Sequence, residues 1–371
     1  MDLDLTGDQE LLRDTAARFI QSACPLERVR ALTEADADPG VEYRHQAAEL
    51  GWFAMLVPED LGGGSVSGDG VFDAAIVAEE RGRVLQPGAF AATHAVASAL
   101  ALDGSEEQRA KVLPALASGE SRVTWAAAGR GGDWDVEAGV TADARSGGYV
   151  LRGVKSFVPD AHTADWILVT TAGPSQFLVA AGTPGMSVHR LDGLDLTRRF
   201  AEVRLDDVEV PASALVGTVG GAAAAVERQL QVAVTLTVAE CVGAMSYDFE
   251  LALDYAKTRT AFGRPIGSFQ AVKHLLADTS LLLETSKALS SAAARAVGSG
   301  RSDAGEVASM AKAFVSESAL DLSQNCFQVF GGIGYTWEHD QHLFLRRLTV
   351  DAALYGEAGW HRERICRLHE L

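Results

Sequence analysis

Arg259-Thr-Ala-Phe-Gly-Arg-Pro-Ile-Gly-Ser-Phe-Gln270 separates two long stretches of helical periodicity in the C-terminal half of the chain, and its punctuation divides the fold. Pro265 breaks the incoming helix, because proline lacks an N–H and its ring clashes with the preceding turn. Gly263 and Gly267 permit left-handed backbone or close approach, and Phe269-Gln270 reopens a helix. Arg259 offers a planar fork suited to a phosphate or carboxylate. The plainer alternative is a helix connector with a solvent-facing arginine. Outward from this junction, residues 222–257 read as one long helix interrupted only by Gly243. Residues 269–297 and 303–330 read as two more, with a final helix after about residue 340. Leu276, Leu281, Leu282, Leu283 and Leu289 recur at spacings that bury one broad face, as in an antiparallel four-helix bundle.

Upstream the period changes. Val123-Thr-Trp-Ala-Ala, Gly148-Tyr-Val-Leu, Trp166-Ile-Leu-Val-Thr-Thr, Gln176-Phe-Leu-Val-Ala and Ala201-Glu-Val-Arg-Leu are short strands between Gly, Asp and Pro, which predicts a small antiparallel β domain. Before it the chain reads as helical, with polar caps at Thr6-Gly-Asp-Gln-Glu10 and Gly104-Ser-Glu-Glu-Gln108. The division is α+β and multidomain: an N-terminal helical domain over 1–121, a middle β domain over 122–216 and a C-terminal helical bundle over 217–371.

The 371 residues, 47% of them hydrophobic, suffice for several cores. A net charge of −18 argues against nucleic acid or an anionic membrane surface as partner. Cys24, Cys241, Cys326 and Cys366 have no metal-like spacing and read as reduced, mostly buried thiols. No apolar run is read as reaching transmembrane length and the N-terminus opens with acids, so a cytoplasmic protein is expected, with no metal.

A second motif changes the weight of the first. Gln328-Val-Phe-Gly-Gly-Ile-Gly-Tyr-Thr-Trp-Glu338 holds a GGxG turn of the kind that exposes backbone N–H groups to an anion. It is no dinucleotide fingerprint of the βαβ type, since no strand precedes it. Together the R-x-x-F-G-x-P-I-x-x-F-Q and Q-x-x-G-G-x-G-Y patterns resemble the acyl-CoA dehydrogenase family, and the likeness in order runs over essentially the whole chain. The resemblance implies that Arg259, Phe262, Gln270, Gln328, Gly331, Gly332 and Gly334 carry the adenine and pyrophosphate end of a FAD bound to the neighbouring subunit. It also implies an oligomer, α,β-desaturation of an acyl-CoA thioester, and an electron-transferring flavoprotein as acceptor. A carboxylate would remove the α proton while the β hydrogen leaves as hydride to the flavin.

Where the family carries Tyr-Glu-Gly-Thr, this chain reads Leu354-Tyr-Gly-Glu-Ala-Gly-Trp-His361, with Gly356 at the base position and Glu357 one residue later. A shift of one residue at a helix start turns a side chain by about 100°, so Glu357 is either a base or a first-turn carboxylate favoured by the helix dipole. The position of the alternative base of some relatives falls at about Ala233. Glu240, inside an apolar run, is the other candidate, as a base or as a buried partner of an arginine or backbone; Glu227 is weaker. The flavin cradle is altered too: Trp125-Ala-Ala-Ala-Gly-Arg-Gly-Gly-Asp133 replaces the family loop, and Lys155-Ser-Phe-Val-Pro-Asp160 the family strand. Trp125 and Phe157 can still flank a ring, but Pro159 can donate no hydrogen bond. The expected function is therefore a FAD-dependent acyl-CoA dehydrogenase, as a homo-oligomer or as the subunit that completes a partner's FAD site. A catalytically silent scaffold or acyl-CoA-binding protein is the alternative. His361 reads as a phosphate contact or a solvated side chain, and Tyr335 and Trp337 as adenine stackers or core.

Overall fold

The computed structural model describes residues 5–134 and 139–371. Residues 1–4 and 135–138, which the sequence reading assigned to the helical and β regions, lie outside the described residues. The helices α1 (Gly7–Ala23), α2 (Leu26–Glu34), α3 (Gly40–Glu49), α4 (Gly70–Arg83), α5 (Phe90–Asp103) and α6 (Glu106–Ala117) come first. Both caps legible in the sequence form. The Thr6 hydroxyl accepts from Gln9 N while Gln9 Oε1 accepts from Thr6 N, and Ser105 and Gln108 repeat the exchange at α6.

The β region is built from β1 (Val123–Ala126), β2 (Val140–Arg145), β3 (Gly148–Pro159), β4 (Trp166–Thr171), β5 (Ser175–Ala180), β6 (Met186–Leu191), β7 (Phe200–Pro211) and β8 (Leu215–Val216). These form two four-stranded sheets, ordered β1-β4-β5-β8 and β2-β3-β7-β6. The expectation of a purely antiparallel domain is corrected at one place: β1 and β4 pair in parallel. The chain leaves β1, spends β2 and β3 in the other sheet and returns in the same direction, the crossover that a parallel pair requires. Ala126, Leu151, Ile167, Phe177 and Val203 pack between the sheets.

The last third holds α7 (Ala223–Thr258), the small hairpin β9 (Thr260–Ala261) and β10 (Arg264–Pro265), then α8 (Gln270–Gly298), α9 (Ala304–Phe330), α10 (Gln341–Ala353) and α11 (Ala358–Leu368). Helix α7 runs unbroken through Gly243, against the interruption expected there. A Cβ on Gly243 would lie 1.8 Å from Glu79 O on α4, and one on Gly82 of α4 would lie 2.0 Å from Glu240 O on α7. The two glycines let the backbones of α4 and α7 touch, so Gly243 serves packing rather than a turn. The membrane expectation also needs correction: α7 is long and apolar enough by composition to span a bilayer, yet 89% of its apolar window is buried inside the protein.

Within the bundle, Asp248 on α7 is fully buried; its carboxylate accepts from Gln341 Nε2 at 3.0 Å, and its Oδ1 has no partner among the described residues. Burial pushes this carboxyl up to about 8, against hydrogen bonds from Ser323, Gln341 and Cys326. Unfolded, an aspartate titrates near ~3.9. Between these values the folded chain holds a proton that the unfolded chain has released, so this group's contribution to stability falls as pH rises through the window. We predict that Asp248→Asn flattens that decline and raises the melting midpoint at pH 8 more than at pH 5, measured by thermal unfolding at both.

Candidate functional site

Helices α7 and α9 run in the same direction and end together, with the Tyr255 and Phe330 rings 5.1 Å apart. Topology thereby brings both sequence motifs to one end of the bundle. Arg259 caps α7: its N–H donates to Tyr255 O, and its carbonyl accepts from Ile266 N, each at 2.8 Å. Ala261 pairs with Arg264 and Thr260 with Pro265, leaving Phe262 (φ 54) and Gly263 (φ 78) as a two-residue turn with both centres left-handed. Such turns follow the twist of a hairpin, but a phenylalanine there is strained. Phe262 is 96% exposed, the Arg264 guanidinium lies 4.1 Å from the Phe269 ring centre, and Gln270 opens α8 in solvent. Gln328, Gly331 (φ 64) and Gly332 are exposed beside it. Gly334 is instead buried, where a Cβ would meet Phe327 and Phe330 at 3.2 Å. Tyr335 packs on Phe327 yet is 76% exposed, and Trp337 is held by Arg30 of α2, which also pairs with Asp340 at 2.9 Å.

The opposite half of the candidate site is packed around Trp125 and Tyr355, with Phe157 at its 41% exposed edge. Trp125 is 1% exposed; its Nε1 donates to Thr170 Oγ1, and its ring stacks on Tyr355 at 6.2 Å, with Trp134 on the same tyrosine at 5.2 Å. Phe157, left-handed at φ 52, lays its ring over Gly132, where a Cβ would lie 3.0 Å from it. Pro159 offers only its carbonyl, which accepts from Thr124 Oγ1 at 2.7 Å. The cleft among Pro159, Phe200, Leu354 and Tyr355 measures about 10 Å³, the space of a single water.

Beneath that cleft lies a buried charge cluster. Arg198 donates to Glu240 Oε2 at 2.6 Å and pairs with Asp351 Oδ1 at 2.7 Å; Arg347 meets Glu240 Oε1 at 3.2 Å and Asp195 Oδ2 at 2.6 Å. Two guanidinium groups thus face three carboxylates, and Lys312 beside them donates to the backbone carbonyls of Asp351 and Ala352. Both Glu240 oxygens are engaged by guanidinium groups, leaving it to hold the cluster together. Arg198, Arg347, Asp351 and Lys312 escaped the sequence reading. Their pairing joins residues 107 and 152 positions apart, and each carries no local motif.

Glu357 stands exposed before the first residue of α11 and is outside the cleft lining. Gly356 has φ 104, and a Cβ on it would come within 2.6 Å of the Trp360 ring and 3.0 Å of His361 Nε2. His361 is corrected from a phosphate contact or solvated residue to a fully buried one. Its Nε2 donates to Tyr355 O at 3.0 Å, and burial depresses it to about 3, which keeps the ring neutral. Glu227 is taken up by Arg364 and Gln231.

The family models for the N-terminal and the C-terminal domains of acyl-CoA dehydrogenases match residues 6–120 and 220–368. The acyl-CoA dehydrogenase FadE34 of Mycobacterium tuberculosis is 32% identical over 97% of this chain, which spans only 47% of that protein's length. The acyl-CoA dehydrogenase IpdE2 of Mycolicibacterium smegmatis is 31% identical, with 98% of each chain covered. Among solved structures, the ChsE4–ChsE5 complex of Mycobacterium tuberculosis superimposes with a TM-score of 0.90 at 27% identity, and PigA with FAD and proline with 0.91 at 26%, each covering both chains in full. The chain belongs to the acyl-CoA dehydrogenase family.

Two substitutions test whether Glu240 and Gly356 serve structure. Removing one member of a buried ion cluster leaves its partners unpaired, so Glu240→Ala is expected to cost about 3–5 kcal/mol in chemical denaturation. Gly356→Glu, which puts the family's residue back, meets Trp360 in a left-handed backbone. It is expected to lose at least roughly 1–3 kcal/mol and to gain no desaturation of an acyl-CoA, read from the denaturation midpoint and a dye-linked assay.

Proposed function

We propose that this chain is the accessory subunit of a heteromeric acyl-CoA dehydrogenase. In this reading it lends the Arg259 hairpin and the Gly331–Gly332 turn to a FAD whose ring and catalytic carboxylate belong to a second, unlike chain of the same family. The observation that carries the reading is an asymmetry. The hairpin end stands open to solvent, with a strained phenylalanine at its tip, while Trp125 and Trp134 pack on Tyr355 and the cleft that Tyr355 lines holds only about 10 Å³.

The residues present fit one end of FAD and not the other. An arginine fork, exposed glycine backbone and protruding aromatic groups suit a diphosphate and an adenine. The filled cradle, Pro159 without an N–H and the crowded Gly356 do not suit a ring, a hydride or a base, so no step is assigned to this chain's own cleft. Bound in the partner's site, FAD would supply a hydride acceptor, with a carboxylate of that second chain as the base. On this chain Arg259 binds and orients, and Phe262 covers the partner.

The relatives are consistent with this reading. ChsE4–ChsE5 is a complex of two names, PigA is a FAD complex, and FadE34 has the length of two such chains. Acyl-CoA as substrate and an electron-transferring flavoprotein as acceptor follow from the family reading.

The test is the flavin-to-chain ratio by visible absorbance. Purified alone, the chain should carry essentially no flavin; co-purified with a family member bearing a carboxylate at the base position, it should carry one flavin per pair. A charge-assisted hydrogen bond contributes about 1.5–3 kcal/mol, so Arg259→Gln should weaken flavin retention by the pair roughly 10- to 100-fold without separating the chains. One flavin per chain in the isolated protein would overturn the proposal in favour of a working homo-oligomer.

A further inference from the structure

A cavity of about 130 Å³ lies apart from the hairpin, between the N-terminal helices and the β region, with four arginines, Arg44, Arg81, Arg122 and Arg199, on its wall against Asp38 and Asp160. A local excess of cations in a chain of net charge −18 needs a physical reason. Arg81 supplies the clearest question. It is 3% exposed, and among the described residues no carboxylate comes within 4.0 Å of it. Its guanidinium has five N–H donors. One goes to Gln86 Oε1 at 3.0 Å and one to Pro87 O at 2.6 Å, while Nε has no hydrogen-bond partner among the described residues. The Phe90 ring, 4.8 Å away, the Trp52 ring, 5.6 Å away, and the Tyr43 hydroxyl also face it. An isolated buried cation is among the costlier arrangements in a protein, and cation–π contact offsets only part of that cost.

The neighbours relieve it only in part: Arg199 pairs with Asp36 at 3.4 Å. Arg44 also lacks a carboxylate within 4.0 Å and spends its Nε on Gly119 O at 2.6 Å. Arg122 reaches Asp38 only at 3.8 Å and, through Nε, Asp165 at 4.0 Å, and that buried Nε has no hydrogen-bond partner among the described residues. Ser121 Oγ beside it is likewise buried without a partner. Donors are in surplus and acceptors are short, which is the condition an anion corrects. The rest of the wall includes Phe53, Phe90 and Leu116, so the occupant needs an apolar body as well as a charge. An apolar cavity of ~150 Å³ accepts benzene, which sets the size.

We infer that this cavity is a binding site for a small organic carboxylate with a compact apolar body, its carboxylate on the guanidinium groups and its body against the aromatic wall. The cavity adjoins the closed cleft, with which it shares Gly88, Ala89, Phe90, Asp160 and Arg199, and its proposed ligand does not rest on how FAD is shared between chains.

The experiment is calorimetric titration of the full chain with sodium benzoate, with benzyl alcohol and sodium phosphate as matched probes of the body alone and the charge alone. Benzoate should saturate one site per chain, and both controls should bind far more weakly. Arg81→Met keeps the stem and removes the charge; Ala164→Leu fills the cavity, Ala164 being 7% exposed on its wall, and leaves every arginine in place. Each should weaken benzoate roughly tenfold or more. Should Arg81→Met fail to fold, Ala164→Leu decides alone. Absence of saturable benzoate binding, benzyl alcohol or phosphate binding as tightly as benzoate, or unchanged affinity in a folded variant would each overturn the inference.

Discussion

Arg347 is the interaction on which the arrangement of the three regions depends. From α10 it reaches Asp195 and Thr197 in the β region, Glu240 on α7, and the carbonyls of Leu85 and Gln86 after α4, and it is completely buried. Arginine suits this role because its rigid fork addresses several acceptors at once and it stays charged in the interior. Desolvation makes such a cluster a poor source of net stability, but breaking it is costly. It therefore acts as a specificity device that fixes which β-region loop sits under which helix.

That cluster is reachable only because α4 and α7 approach at backbone distance. Gly82 and Gly243 remove the two side chains that would hold the helices apart. Any larger residue at either place would push Glu240 away from Arg198 and Arg347. The same contact sets the end of α4, where Arg81 and Arg83 diverge: Arg83 pairs with Glu250 at the surface, whereas Arg81 turns inward.

The two halves of the candidate site obey different physics. The hairpin half is local: a cap, a two-residue turn and a glycine turn hold their shape from nearest neighbours. The cleft half is collective: Trp125 and Trp134 pack on Tyr355, Phe157 packs on Phe200, and these rings come from well-separated parts of the chain. Aromatic groups fill such a space well because they bury large area with few rotatable bonds. A cleft closed in this way cannot be reopened by one substitution, which is why a restored carboxylate at Gly356 would not restore chemistry.

The sequence by itself determined what depends on period, caps and turns. The three-part order, the long helices, the capping pairs at Thr6 and Ser105 and the exposed Arg259–Gln270 junction were legible because each is encoded within a few residues. The parallel β1–β4 pair was not, since strand direction depends on where the chain travels between them. The continuity of α7 through Gly243 was hidden as well, because a glycine that admits a neighbouring helix looks the same in sequence as one that ends its own. Only the tertiary structure decided the fates of Glu240 and His361 and the closure of the cradle, since their partners are far away in the chain and burial alone turns a candidate base or ligand into a structural group.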